Sequence, residues 1–526
     1  MSSGRSGMSP ADAAPEQMPT PTSSAGLPGR KLVLSAGVYI LGTFLQRGLL
    51  FLSLPVYARL FGVEDYARWS LFVALAAVFG LIFDLAWSRG IPRLYFEYWD
   101  DAAVGRKYLL VSFFQRVLLW LGLSVLFWIA GPVMLPLLSG GTVPYERFGA
   151  SLLIAAGAEC LLLFVCAAFR ARQRAIPFVS LKLAQALAQI GGSLAAVYWG
   201  NADVEKAASV FAAGSSLVAI AGIAAFLRSV AHRTRGTIRF GSSFRSNAAF
   251  SFPLVFHDLA SWLRNAADPF IIAHFLTLYA VSIYHVGYQF GLIIGLLLYS
   301  VELALSPFLF QLMKSDPDFR VKYMELTHAI VGCTFALVVT TILFSREAIA
   351  LLFPSALAES ARIAPLVAAG YFFHGLYTVY VKPFVFLGRT ELIPLLTTGP
   401  TILGVALSIV FTPTFGVLAP AVLTIASLAV LAAVVYLGAQ RLDAFPYPLG
   451  IHLAMATTVV LLGVACSHFW ELATAPVMAA KILVWGVLLL VAYRVLLRGG
   501  LTRVRAVLTT LPTEAELRMA RLESAP

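Results

Sequence analysis

Six polar residues crowd into an otherwise apolar stretch: His257, Asp258, Ser261, Arg264, Asn265 and Asp268. Their three- and four-residue steps place them on one broad face if the stretch is helical, because each residue turns a helix by about 100°. Pro253 and Pro269 flank the stripe and are expected to bend the helix or loosen its ends. At about 1.5 Å per residue from Ala248, Asp258 lies about 15 Å along and Arg264 about 24 Å. A charge that deep in hydrocarbon costs about 2.5–3.5 kcal/mol on insertion scales, so the stripe must face a cavity or another helix. It can bind a charged, polar cargo, or it can be a salt-bridge network that holds helices together. Arg47, past the middle of an earlier apolar run, and Arg116, about 12 Å into another, are further candidates for binding an anion. Glu159 lies deep within its run and is a candidate, with Asp258, for carrying a proton or cation during transport. The alternative for Glu159 is a pair with a cation such as Lys182. Asp84, Arg89, Arg93, Glu302 and Lys382 lie near run ends and fit interface anchors, and Lys481 fits a helix end. His285, His374, Tyr377 and Tyr380 suit either sugar contacts or helix interfaces.

The elements that position these residues are set by composition. Of 526 residues, 60% are hydrophobic and 12% charged, and mean hydropathy is +0.84. A soluble chain carries about 25% charge and 45–50% apolar residues, so a soluble enzyme, a disordered protein and a nucleic-acid-binding domain are all excluded. The net charge of +12 then points to basic loops at a membrane surface. Cys160, Cys166, Cys333 and Cys466 lie inside apolar runs, with no CxxC or Cys/His spacing. No metal, cofactor or redox role is therefore expected.

Apolar runs of about 20 residues suffice to cross a bilayer. They fall at 32–54, 69–90, 108–130, 148–169, 177–199, 205–227, 248–276, 279–310, 324–344, 363–387, 392–411, 415–437, 448–466 and 472–493. The expected fold is all-α and polytopic, with fourteen transmembrane helices. Residues 1–30 read as a disordered tail, and no apolar segment precedes Lys31, so no cleavable signal peptide is expected. With the N-terminus inside, 26 of the 38 Lys and Arg residues fall on inside segments and 6 on outside loops. The positive-inside rule thus places both termini in the cytoplasm. Every outside loop is short, which leaves no room there for a catalytic domain.

An internal repeat appears at an offset of 215 residues. Phe61 falls on Leu276, Trp69 on Tyr284, Gly80 on Gly295 and Pro92 on Pro307. An even number of spans separates the copies, so the halves share one orientation, and the interface of such parallel repeats is a common substrate site. The expected organisation is a tail (1–30), an N-lobe (31–228), a basic linker (229–247), a C-lobe (248–440), two further spans (441–497) and a second tail (498–526).

Several stretches carry a family likeness. Trp262-Leu-Arg-Asn-Ala-Ala-Asp268-Pro-Phe-Ile-Ile-Ala, Val281-Ser-Ile-Tyr284-His-Val-Gly-Tyr288, Leu305-Ser-Pro307 and Leu54-Pro55-Val-Tyr-Ala-Arg59-Leu-Phe-Gly62-Val-Glu-Asp65-Tyr66 resemble the bacterial polysaccharide (O-antigen type) flippases. These belong to the multidrug/oligosaccharidyl-lipid/polysaccharide exporter superfamily. The resemblance implies two six-helix lobes, alternating access in the inner membrane, and a polyprenyl-pyrophosphate-linked oligosaccharide as cargo. Membrane lipids and a polysaccharide polymerase machinery are the implied partners, with Na+ or H+ as the coupling ion. The sequence departs from the family where Pro269, not a basic residue, follows Asp268, and where Ser282 replaces a Gly. The expected binding residues are Arg47, Arg116, His257, Arg264, Asn265 and Asp268, and the expected coupling residues Glu159 and Asp258. Alternatives are a lipid II-type flippase, whose two extra helices line a groove for the lipid tail, and a multidrug or cation antiporter of the same fold. An integral membrane enzyme using the same lipid carrier is disfavoured by the short outer loops.

Overall fold

The computed structural model describes residues 29–98, 101–230, 237–315, 319–470 and 474–494. The expected tails, save Gly29 and Arg30, and part of the basic linker lie outside the described residues. The chain runs through α1 (Gly29–Phe61), α2 (Val63–Asp84), α3 (Trp87–Tyr95), α4 (Ala102–Ser139), α5 (Tyr145–Ala171), α6 (Ala175–Gly200), α7 (Val204–Val230), α8 (Phe240–Ala266) and α9 (Asp268–Phe275). It continues through α10 (Leu278–Ser315), α11 (Phe319–Leu352), α12 (Ala364–Tyr380), α13 (Lys382–Phe386), α14 (Leu392–Phe415), α15 (Leu418–Leu442), α16 (Leu449–His468) and α17 (Ala475–Ala492). No strand occurs among the described residues. Short connections make successive long helices antiparallel. We call the end where α1 begins the near end and the end where α1 turns into α2 the far end.

Among the described residues, eleven helices are long and apolar enough to cross a membrane, so the fold is that of a polytopic all-α membrane protein. The other three expected spans fall on α6, α8–α9 and α12–α13. Lys182, Gln185 and Gln189 dilute α6, the polar stripe dilutes α8, and α12 has only 17 residues. Three spans expected as continuous are broken. The second gives way at Leu85 and Ala86, both in the left-handed region at φ 47° and 54°. The seventh breaks at Ala267, where Pro269 cannot extend the preceding ladder. The tenth breaks at Val381 before Pro383.

Packing follows the repeat. In the first half α2 packs on α5, α5 on α7, α6 on α7, α1 on α6 and α4 on α5. In the second half α10 packs on α12, α12 on α15, α14 on α15, α8–α9 on α14 and α11 on α12. Each pair has its counterpart, which describes two six-helix lobes, with α16 and α17 added against α11 and α12. The matched glycines Gly80 and Gly295 serve the same contact. A Cβ at Gly80 would sit 3.0 Å from Glu159 on α5, and one at Gly295 would sit 2.7 Å from Tyr371 on α12. Burial decides which helices are central: α5 is 78% buried over its most apolar window and α2 67%, against 11% for α4 and 6% for α17. The bare faces of α4 and α17 carry exposed residues such as Trp128, Val133 and Leu483, as lipid contact requires.

The lobes touch at both ends. At the far end α10 lies on α1 and α2 in a largely apolar seam built around Tyr66, Val281 and Tyr284. Gly140, at φ 60°, ends α4 there so close to Ala273 of α9 that a Cβ would come within 2.8 Å of its carbonyl oxygen. At the near end α8 lies on α3 and α4 in a polar seam.

Candidate functional site

Arg264 occupies the middle of the C-lobe. It is half-buried and lines a narrow cleft with Asn265, Asp268, Tyr288, Tyr371 and His374, closed by Thr401 and Ser408 of α14 and Thr424 of α15. The Arg264 guanidinium reaches only the Ser261 hydroxyl, at 3.4 Å, and among the described residues no carboxylate pairs with it. Asp268 does not pair with Arg264. It accepts a hydrogen bond from the Tyr284 hydroxyl at 2.5 Å and a longer one from Thr424 at 3.4 Å. The helix break before Pro269 separates the two: Arg264 ends α8, whereas Asp268 opens α9. Asn265 turns its amide back to the Ser261 carbonyl at 2.7 Å. The cleft, about 30 Å³, holds roughly two waters, so a sugar does not enter it.

Arg47 approaches from the N-lobe. It is exposed in the structure and its guanidinium lies 5.8 Å from the ring centroid of Tyr299 on α10, a cation–π contact across the lobes. Phe51 meets Phe290 on the same two helices at 6.2 Å. Tyr371 is within electrostatic reach of both Arg47 and Arg264. The first helix of each lobe thus brings one guanidinium without a carboxylate partner toward one aromatic group, lined by Tyr371, His374 and Tyr377, the last two stacked at 5.7 Å.

The remaining expected residues are placed elsewhere. Arg116 is completely buried inside the N-lobe. It hydrogen-bonds the Phe83 carbonyl, reaches Cys160 Sγ at 2.7 Å and lies 3.6 Å from Asp84. Its depth reflects burial of a structural pair. Asp258 forms an ion pair with Arg89 of α3 and so joins the near-end seam. His257, half-buried on α8, lies within electrostatic reach of Arg89 and of Arg264. Glu159 takes the alternative partner: Lys182 Nζ lies 3.0 Å away, and Gln185 hydrogen-bonds the other oxygen. Glu302 pairs with Lys382. Lys481 lies inside α17 and pairs with Glu347 of α11 at 2.7 Å, where a helix end was expected. His285 accepts or donates across the far-end seam to Tyr66 at 3.0 Å, and Ser282, in place of the family's Gly, hydrogen-bonds the Val63 carbonyl at 2.5 Å.

Sequence reading missed Tyr288, Tyr371, Thr401, Ser408 and Thr424. The available signal was the spaced hydroxyls of α14, Thr397, Thr401, Ser408 and Thr412, all buried in a helix that is otherwise apolar.

With this geometry in hand, comparison with known proteins is decisive. A model of the family described as polysaccharide biosynthesis protein matches residues 32–313. The chain belongs to this family. An uncharacterized membrane protein of Haemophilus influenzae is 20% identical over 285 residues, which span 54% of this chain and 66% of that relative's length. Among solved structures, the lipid II flippase MurJ in an inward closed conformation superimposes with a TM-score of 0.65 at 16% identity, over 87% of this chain and 98% of that one. The eukaryotic MATE transporter AtDTX14 superimposes with a TM-score of 0.53 at 15% identity, over 83% and 98%. A MOP superfamily transporter from Pyrococcus furiosus gives 0.53 at 14%, over 80% and 97%. The fold of this family member is the one these solved flippase and transporter structures share.

Proposed function

We propose that the chain flips a polyprenyl-pyrophosphate-linked oligosaccharide from the cytoplasmic to the outer leaflet by alternating access, for surface polysaccharide biosynthesis. The observation that carries this reading is the pair Arg47 and Arg264: guanidinium groups from opposite lobes, neither held by a carboxylate, both in reach of Tyr371. Arg suits a pyrophosphate because its planar fork gives two parallel bonds to phosphate oxygens. His257 and Asn265, on the same helix as Arg264, supply further polar contacts to the sugar-phosphate end. The narrow cleft is too small for the sugars, so alternating access has to part the lobes to receive them.

Deletion of the gene followed by analysis of inner-leaflet lipids tests the proposal. Accumulation of a lipid-linked surface-polysaccharide intermediate is the expected result. Accumulation of the peptidoglycan precursor instead would establish the second reading, a lipid II-type flippase. That reading is favoured by α16 and α17, which follow the twelve helices of the lobes, and by the near-complete overlap with MurJ. An antiporter of organic cations needs acidic walls, and the one acid on the cleft, Asp268, is engaged by Tyr284.

The near end faces the cytoplasm in this reading, with both termini inside the plasma membrane, because the basic residues concentrate on that side. Reporter fusions after Arg174 and Arg239 should behave as cytoplasmic and one after Trp199 as external. An external signal at Arg239 would overturn the orientation and the parallel repeat together.

Coupling to Na+ or H+ is assigned to Glu159 or Asp258, each of which would have to exchange its basic partner for the ion. Glu159→Gln or Asp258→Asn should then abolish the gradient dependence of flipping while the protein still inserts. Lower stability with coupling unchanged would show the pairs with Lys182 and Arg89 to be purely structural.

A further inference from the structure

At the near end, outside the apolar runs, a pocket of about 400 Å³ opens between the lobes. Its N-lobe wall is Glu97, Tyr98 and Tyr108, and its other wall is Arg239, Ser242 and Ser243. The pocket is expected at headgroup level, because its walls lie at or just before the starts of the apolar runs of α4 and α8. Three features of it ask for a ligand. The first turn of α8 leaves backbone N–H groups without intrahelical partners, since Ser243 N makes the first ladder bond, to the Arg239 carbonyl. The Ser243 hydroxyl is 93% buried and has no hydrogen-bond partner. Glu97 and Arg239 are exposed, and among the described residues no ion pair holds either of them.

A helix N-terminus, a guanidinium and hydroxyls bind phosphate. A lone phosphate would leave Glu97 facing it across the pocket, an unfavourable arrangement. A phosphate that carries an ammonium group two carbons away satisfies both charges, with the ammonium also lying near the Tyr98 ring, itself stacked on Tyr108 at 5.1 Å. We propose that this pocket binds a zwitterionic phosphoethanolamine group. A ligand held by Arg239 and Glu97 touches both lobes. It therefore reinforces the seam in which the Tyr108 hydroxyl donates to Asn247 at 2.6 Å and Gln115 donates to the Phe240 carbonyl at 2.8 Å. The ligand acts as a clamp on closure at this end, separate from the cargo.

Two sources offer this group: the headgroup of phosphatidylethanolamine in the adjacent leaflet, and free phosphoethanolamine. The test is native mass spectrometry of the full chain with phosphatidylethanolamine, phosphatidylcholine, phosphatidylglycerol or free phosphoethanolamine. The wild type should retain phosphatidylethanolamine about tenfold better than the other two lipids, the ratio given by about 1.4 kcal/mol. Arg239→Gln should lower that retention about tenfold, and Glu97→Gln should erase the preference over phosphatidylglycerol while binding persists. Both side chains are exposed, so neither variant disturbs the fold. Binding of free phosphoethanolamine with the same dependence on Arg239 and Glu97, without lipid selectivity, would uphold the site and assign it the soluble source. Equal retention of the three lipids with no binding of free phosphoethanolamine, or an Arg239→Gln variant that binds like the wild type, would overturn the proposal.

Discussion

Arg264→Ala or Arg47→Ala should abolish export of surface polysaccharide in a deletion strain, at membrane levels equal to the wild type. Each guanidinium is placed to contact the pyrophosphate, and a hydrogen bond to a charged group contributes about 1.5–3 kcal/mol. Losing one fork therefore lowers cargo affinity about ten- to hundredfold. Arg→Lys at either site should restore export only in part, since Lys keeps the charge and loses the paired donors. Neither substitution leaves a buried carboxylate unpaired, because among the described residues no carboxylate pairs with either side chain. Folding is thus spared, and the export defect is separable from it. Normal export by both Ala variants at normal levels would make these arginines structural.

The opposite outcome is expected at Arg116. Arg116→Ala leaves Asp84 buried, 4% exposed, without its cation, and removes the donor to the Phe83 carbonyl. Breaking a buried pair from one side costs about 3–5 kcal/mol, so the variant should accumulate poorly and unfold at lower temperature in detergent. The double variant Asp84→Asn, Arg116→Met should recover much of the loss, because nothing charged is then left buried. Thermal unfolding of the wild type, Asp84→Asn, Arg116→Met and the double variant, read as a double-mutant cycle, measures the coupling. An Arg116→Ala protein as stable as the wild type would return Arg116 to the list of binding residues.

Arg47 and Arg116 look alike in sequence, each a lone cation in an apolar run, and that explains what sequence could and could not reveal. Hydropathy and charge alternation located every long helix, because burial in lipid acts on runs of residues. The break at Leu85 was invisible, since no proline or glycine stands next to it, and at Val381 the signal of Pro383 was passed over. At Ala267 the proline was visible and its effect on helix direction was anticipated, but the consequence for Asp268 was not. Which of two deep arginines faces cargo depends on the partner across the helix interface. Asp84 stands 32 positions before Arg116 in sequence and on a different helix, so no local pattern connects them. Glu159 and Lys182 were joined correctly because both sit at matching depth in successive spans. The hydroxyls of α14 and α15 were passed over, since Ser and Thr in an apolar helix commonly bond the preceding turn of their own backbone, as Thr401 does to Thr397 at 2.8 Å.

The corner between α2 and α3 also bears on how the molecule is made. Asp84 crosses it to act as a cap for α3, accepting from the Ser88 hydroxyl at 2.5 Å and the Ser88 backbone N–H at 3.2 Å. During synthesis α2 reaches the translocon before α4 has left the ribosome. Asp84 then meets the bilayer with Ser88 alone as a partner, and its insertion depends on the apolar weight of the rest of α2, whose mean hydropathy is 1.8. Only when α4 arrives can Arg116 close over it and Leu85 and Ala86 be held in their left-handed conformation. The N-lobe therefore has an assembly order written into it, in which α2 waits in the membrane for α4. A ribosome stalled between the two helices would leave a half-built lobe with its acid uncovered, the form that a membrane quality-control protease is equipped to remove.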